Sequence, residues 1–266
     1  MHRNKKQSNN LNLAAIFIGI VVFFVFLSFL FKLFFLIQQS HFDGKHSFNL
    51  EVLEDNNKSI IAFSPQDKSI SILKIQNSQK INDLKTYLEV PIDGELVLKN
   101  QDFNYNQISQ SLFKASFSLN KDLENLTIID TLRLALLARS VSPNSLHQRS
   151  ILQSNSQVQN ANIIQLSFGD PTIKEENKSI EIINATDTFG LGLRLATLIS
   201  NISGNVILVN SKGLQKNSRI IYYGDQSYTV KRLSTYLNLP VSKSKNRGVA
   251  DVIIIIGVDS LKDLKF

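Results

Sequence analysis

Histidine is the natural starting point for chemistry, because imidazole titrates near neutral pH and ligates metals. The chain carries four: His2, His41, His46 and His147. None stand at His-x-x-x-His spacing, so a metal site would need carboxylates alone, and no convincing acidic cluster appears. Ser-His-Asp chemistry would have to use His147, which follows Pro143 in a polar loop and reads as a surface residue. Cysteine is absent. That excludes a disulfide scaffold, a Cys-zinc site, an iron–sulfur cluster and a thiol nucleophile. Asp251, Asp259 and Asp263 flank the terminal apolar run and read as solvent-facing.

Gly190-Leu-Gly192 sits between a strand pattern and a helix pattern, where a dinucleotide fingerprint belongs. The third glycine position is Leu195, and the acid expected about twenty residues on is missing from Val209-Asn210-Ser211. The stretch therefore reads as a βα turn, with Thr186 or Asp187 near the helix N-cap and glycines allowing close approach. The best basic cluster, Lys243-Ser-Lys245-Asn-Arg247, reads as a charged loop rather than a nucleic-acid footprint. No cofactor is expected.

These residues must be positioned by a chain of 266 residues that is 43% hydrophobic, which rules out disorder. Residues 13–37 run almost without a polar side chain, interrupted only by Ser28 and Lys32. As a helix they reach about 37 Å, against a hydrocarbon core of about 30 Å. The run lacks the polar stripe of a soluble core helix. It is longer than a signal-peptide core and ends in Phe34-Phe35-Leu36-Ile37 with no small-x-small site. It reads as an uncleaved signal anchor in the lipid bilayer, with Leu13, Phe23, Phe29 and Ile37 among the lipid-facing residues. Arg3, Lys5 and Lys6 precede it with no acid, so the positive-inside rule places residues 1–12 in the cytoplasm and the rest outside. The formal charge of +7 falls to +3 once these three and Lys32 are set aside.

After a polar stalk over residues 38–47, the apolar pattern predicts strands at 49–53, 59–63 and 69–75. The last two are joined as a hairpin through Ser64-Pro65-Gln66-Asp67-Lys68. Residues 85–90 read as a further strand, and 106–113 as weakly helical. Residues 126–140 read as a helix with Ile129, Leu132, Leu136 and Leu137 at helical spacing. Residues 153–162 read as a polar loop and 162–168 as a strand. A hydrophilic break follows at Gly169-Asp-Pro and Lys174-Glu-Glu-Asn-Lys. Beyond it come strand 179–184, helix 189–202, strands 205–209 and 218–223, helix 227–237 and strand 252–256. The fold class expected is α/β (α+β): a transmembrane helix, a mixed α/β ectodomain and a small βαβ–βαβ C-terminal sandwich.

Ile180-Glu-Ile-Ile-Asn184-Ala-Thr186, Gly190-Leu-Gly192, Ile220-Ile-Tyr-Tyr223-Gly224 and Asp251-Val-Ile-Ile-Ile-Ile-Gly257-Val-Asp259 together resemble the LytR C-terminal domain. The resemblance covers residues 178–260. Ile60-Ile-Ala-Phe-Ser-Pro65, Ser69-Ile-Ser-Ile-Leu-Lys-Ile75 and Thr86-Tyr-Leu-Glu-Val-Pro91 are similar to a LytR–CpsA–Psr domain, taken here as residues 45–170. That family transfers lipid-linked glycopolymers onto peptidoglycan, using arginines and aspartates around a pyrophosphate and magnesium. This sequence departs from the pattern. Gln76-Asn77-Ser78 stand where the family has Pro-Arg-Asp, and Asn56-Asn57-Lys58-Ser59 where it carries Arg and Asp. Arg139 and Arg149 are the candidates for the later arginines. Arg133 and Arg139 lie six residues apart, about 600° of helical rotation, and so on different faces.

The expected function is a non-catalytic, membrane-anchored binding or scaffolding protein of the bacterial cell envelope. The alternative is a divergent glycopolymer transferase. Binding candidates are Asn184, Thr186, Gly190, Arg139 and Arg149, and partners are the bilayer and cell-wall polymer or envelope proteins. The orientation is testable. External protease on cells stripped of any outer barrier should remove residues beyond about 45 and spare the N-terminus. A protected C-terminus would reverse the assignment.

Overall fold

The computed structural model describes residues 4–55, 57–76, 81, 83–100, 102–152 and 157–262. Expectations placed on Arg3, Asn56, Asn77, Ser78, residues 153–156 and Asp263 lie outside the described residues, as do the side chains of Lys5, Lys6 and Gln76. The chain divides into two units, residues 1–41 and 42–266. The first is helix α1 (Asn4–Gln38). Its part Leu13–Gln38 is the one helix among the described residues long and apolar enough to cross a membrane. None of its most apolar stretch is buried, and Phe23 and Phe29 are 59% and 60% exposed. That suits a single-pass anchor.

The second unit is mixed α/β. It begins with β1 (Phe48–Leu53), β2 (Lys58–Ser64), β3 (Ser69–Gln76), α2 (Leu84–Leu88) and β4 (Gly94–Leu98). Then come α3 (Ile108–Phe117), β5 (Lys121–Glu124), α4 (Ile128–Ser140), β6 (Leu146–Leu152) and α5 (Gln157–Phe168). Among the described residues these strands form a six-stranded sheet ordered β5-β4-β1-β2-β3-β6. β1, β2 and β3 pair antiparallel, as the hairpin chemistry predicts. Strand alternation sends Ile61, Phe63, Ile70 and Ile72 to one face, under α3 and α4. It sends Ile60, Ala62, Leu73 and Ile75 to the other, under α2 and α5.

The remaining elements are α6 (Pro171–Glu176), β7 (Ser179–Asn184), α7 (Leu191–Asn201), β8 (Asn205–Ser211), β9 (Arg219–Tyr222), α8 (Tyr228–Leu237), β10 (Val241–Lys243) and β11 (Val252–Ile256). They build a second sheet, five-stranded among the described residues and ordered β10-β9-β11-β7-β8. The helix stripes expected from spacing are the buried ones: Leu191, Leu195, Leu198, Ile199 and Ile202, and Val230, Leu233 and Leu237. They pack on Ile180, Ile182, Ile254 and Ile256.

Several expectations are corrected. Residues 85–90 are not a strand. Asp83 caps α2 by accepting from the Lys85 N–H, Leu84 and Leu88 are buried one turn apart, and Glu89 in the left-handed region ends the helix. Residues 162–168 are helical too: Ile164 and Phe168 bury together while Leu166 between them is exposed, a pattern that alternation does not supply. The hydrophilic break contains α6, capped by Asp170. In α4 the buried face is Asp130, Thr131, Leu134 and Ala135, whereas Leu136 is 67% exposed. The stalk is not free: Phe42 is buried in the first core, and the His46 ring stacks on Tyr228 at 4.1 Å. His147 lies on β6 and is exposed.

A buried ion pair joins the layers of the two sheets. Arg232 of α8 donates from Nη1 and Nη2 to the two Asp93 carboxylate oxygens at 2.6 and 2.7 Å, with the side chains 15% and 11% exposed. Asp93 also accepts from the Asn49 N–H at the start of β1. Burial alone would lower the Arg232 pKa, but the Asp93 carboxylate raises it above the ordinary arginine value. Nearby, Asn201 Nδ2 donates to the carbonyls of Leu88 and Glu89, and the Tyr236 hydroxyl to that of Val90. Arg232→Met leaves Asp93 charged and unpaired, and should lower unfolding free energy in urea by about 3–5 kcal/mol. Adding Asp93→Asn should recover part of that loss. Equal losses in the single and double variants would show that the pair does not carry the joint.

Candidate functional site

The turn between β7 and α7 carries three of the expected binding residues. Asn184 ends β7, where it is 7% exposed. Its Oδ1 accepts from the Thr186 N–H at 3.1 Å and from Thr186 Oγ1 at 2.7 Å. Its Nδ2 donates to the Thr188 carbonyl at 2.9 Å, while the Thr188 N–H donates to Thr186 Oγ1. The amide is thus spent on shaping the turn, as short polar side chains commonly are. Neither Thr186 nor Asp187 caps α7. The N-cap is Gly190, at φ +82°, a conformation that disfavours a side chain. At Gly192 a Cβ would stand 3.0 Å from Val209 Cγ1, so glycine there lets α7 lie close to β8.

This turn walls a cleft of 360 Å³ with Val209 and Ser211 of β8. Phe189 at its rim is fully exposed. The lining offers neutral hydroxyls and backbone groups, one carboxylate at Asp187, and an aromatic face. Such a surface suits a hydroxyl-rich ligand that stacks on a ring better than a highly charged one.

The two expected arginines are not brought together. Arg139 is exposed near the end of α4 and lines a groove of 740 Å³ against α3, on the face that carries Ile61 and Phe63. Arg149 is on β6, where Nη1 reaches Ser167 Oγ of α5 at 3.5 Å, on the opposite face of the sheet. Arg133 Nη1 donates to the Phe42 carbonyl at 2.8 Å. Asp251 and Asp259 face solvent less freely than expected. Asp251 accepts from the Ser179 hydroxyl, and Asp259 accepts from the Ser218 N–H and hydroxyl, fastening the strands on either side of β11.

Sequence reasoning missed a glutamate ladder. β1, β4 and β5 place Glu51 beside Glu95, and Glu95 beside Glu124, in direct cross-strand register. Asp83 and Lys58 face the same group. Glu51 is only 5% exposed. Burial pushes its carboxyl up to about 7, Glu95 and Asp83 add to the rise, and Lys58 opposes it. Burial also raises Glu95, reinforced by Glu124 and Asp83. Among the described residues no three His, Asp or Glu side chains are grouped so as to hold a metal ion. The ladder was not legible because β4 and β5 were not expected as strands. A further cleft of 450 Å³ lies between α2, α5 and α7, where Arg194 Nε pairs with Glu89 Oε1 at 3.3 Å.

No family model matches this chain, and no curated protein matches it. Among solved structures, B. subtilis TagV is similar at 11% identity over 41% of this chain and 85% of that one, with a TM-score of 0.28. B. subtilis TagT is similar at 12% identity over 80% and 86%, with a TM-score of 0.20. Lin1025 protein from Listeria innocua gives 12%, 70% and 89%, also at 0.20. Likeness of this size carries no argument about family or activity.

The ladder generates a pH dependence. The folded Glu51 keeps its proton up to about pH 7, whereas the unfolded chain loses it near about 4.3. Between those values the folded state binds more protons, so this group's contribution to stability falls as pH rises. Glu51→Gln should remove that fall and stabilise the protein at pH 8 by on the order of 3 kcal/mol at most. Parallel pH–stability curves for the two proteins in urea would show that Glu51 is not protonated in the fold.

Proposed function

We propose that this chain is a membrane-anchored, non-catalytic binding or scaffolding protein of the bacterial cell envelope, with its N-terminus inside and residues 42–266 outside. Residues 45–170 form a degenerate LytR–CpsA–Psr-like domain in this reading, and 178–260 a LytR C-terminal-like domain. The apolar helix and the sequence resemblance support the placement. One observation carries the non-catalytic part: Arg139 and Arg149 lie on opposite faces of the six-stranded sheet. A leaving pyrophosphate needs positive groups converging on one point as charge develops. Arg133, the nearest other arginine in sequence, binds the chain's own Phe42 carbonyl.

The cleft beside Phe189 is the proposed contact with cell-wall polymer. The purified full-length protein should be retained on cell-wall sacculi, and Phe189→Ser should weaken that retention. With lipid-linked pyrophosphate and magnesium it should release no lipid carrier. Turnover that disappears in an Arg139→Ala, Arg149→Ala double variant would overturn this reading in favour of a transferase.

A further inference from the structure

The outer face of α3 and α4 exposes large apolar side chains side by side. Phe113, Phe117 and Leu136 are 55%, 65% and 67% exposed. The two phenylalanines stand one helical turn apart, with ring centroids 5.2 Å from each other. Between the helices runs the 740 Å³ groove, whose described lining carries Lys114 and Arg139 and no carboxylate. Contiguous exposed apolar surface rimmed by polar groups marks an interaction site.

Two observations choose the occupant. The first is the tether. Phe42 is clamped to α4, its N–H donating to Asp130 Oδ1 at 2.8 Å and its carbonyl accepting from Arg133 Nη1 at 2.8 Å. Only four residue steps separate it from Gln38, the last residue of the apolar span. The chain allows these steps at most about 14 Å. The helix that carries Leu136 and Arg139 is therefore leashed to the membrane exit point by a very short link. The second is charge. Cations beside aromatic and aliphatic side chains are the composition of surfaces that settle into the headgroup region of anionic bilayers.

We propose that the α3–α4 face rests on the bilayer surface, with Phe113, Phe117 and Leu136 at the headgroup–acyl boundary and Lys114 and Arg139 against anionic lipid phosphates. The inference rests on anchoring by α1 and does not depend on the proposed wall ligand. The contact holds the folded unit against the membrane and directs its other surfaces away from it.

The absence of cysteine makes single-site labelling clean. Full-length Leu136→Cys and Val249→Cys proteins, each with an environment-sensitive fluorophore, are reconstituted into phosphatidylglycerol–phosphatidylcholine vesicles; Val249, 74% exposed, is the control. The label at 136 should be blue-shifted and quenched by shallow spin-labelled lipid several-fold more than the label at 249. The difference should shrink in pure phosphatidylcholine and in a Lys114→Glu, Arg139→Glu background. Protein that floats with vesicles but shows equal quenching at both positions overturns the inference alone. Shielding at 136 that tracks the protein-to-lipid ratio instead assigns the face to a second copy of the chain and also overturns it. Protein that fails to float overturns the anchoring, and the inference with it.

Discussion

The folded unit depends on a charge pair largely withdrawn from water. Asp93 sits at the start of β4 and Arg232 in α8, and neither is tolerable alone at its depth. Their bidentate contact fixes α8 against the first sheet, and neighbouring groups follow from that placement. Glu176 accepts from the Tyr228 and Thr229 N–H groups and from the Thr229 hydroxyl, so α6 caps the start of α8. Burial opposes its ionisation, but these hydrogen bonds hold the Glu176 carboxyl below its usual range. The Tyr228 hydroxyl donates to Asp170, which itself caps α6. His46 then stacks on the Tyr228 ring, fastening the segment that leads in from the membrane.

Charge is distributed unevenly over the rest of the unit, and this shapes what each surface can do. One face of the first sheet gathers Glu51, Glu95 and Glu124, with Lys58 as the opposing cation. Like charges in cross-strand register are destabilising, and burial together with the neighbouring Glu95 raises the Glu51 carboxyl to about 7. The other face ends in an apolar, cationic groove between α3 and α4. The second sheet offers a neutral cleft with an exposed aromatic ring. Three regions of different chemistry therefore sit on one unit.

The expected site residues were partly legible. Asn184, Thr186 and Gly190 fall together because all three belong to one βα turn, and contiguous residues stay close in any fold. Their roles were not legible, since Asn184 and Thr186 spend their side-chain polar atoms on one another and on Thr188. Arg139 and Arg149 are ten positions apart yet separated by a sheet, because β6 crosses back along β3 after α4.

The sequence by itself determined whatever rests on local period and composition. The unbroken apolar run had to be a helix long enough for a membrane, because its peptide groups must bond internally in hydrocarbon. The alternation in residues 59–75 had to be a hairpin, and the stripes of α7 and α8 had to face a core. Tertiary structure decided the rest. β5, β6 and β10 are edge strands rich in polar residues, held as strands by their partners' hydrogen bonds rather than by their own pattern. α2 and α5 bury Leu84 with Leu88 and Ile164 with Phe168, pairs four apart that a strand would also place on one face, so the local spacing left helix and strand unresolved. Arg232 and Asp93, 139 positions apart, meet only because two separately patterned sheets are packed together. Local sequence sets the period of an element. Which face is covered, which strands align and which charges are brought out of water are set by contacts between distant segments.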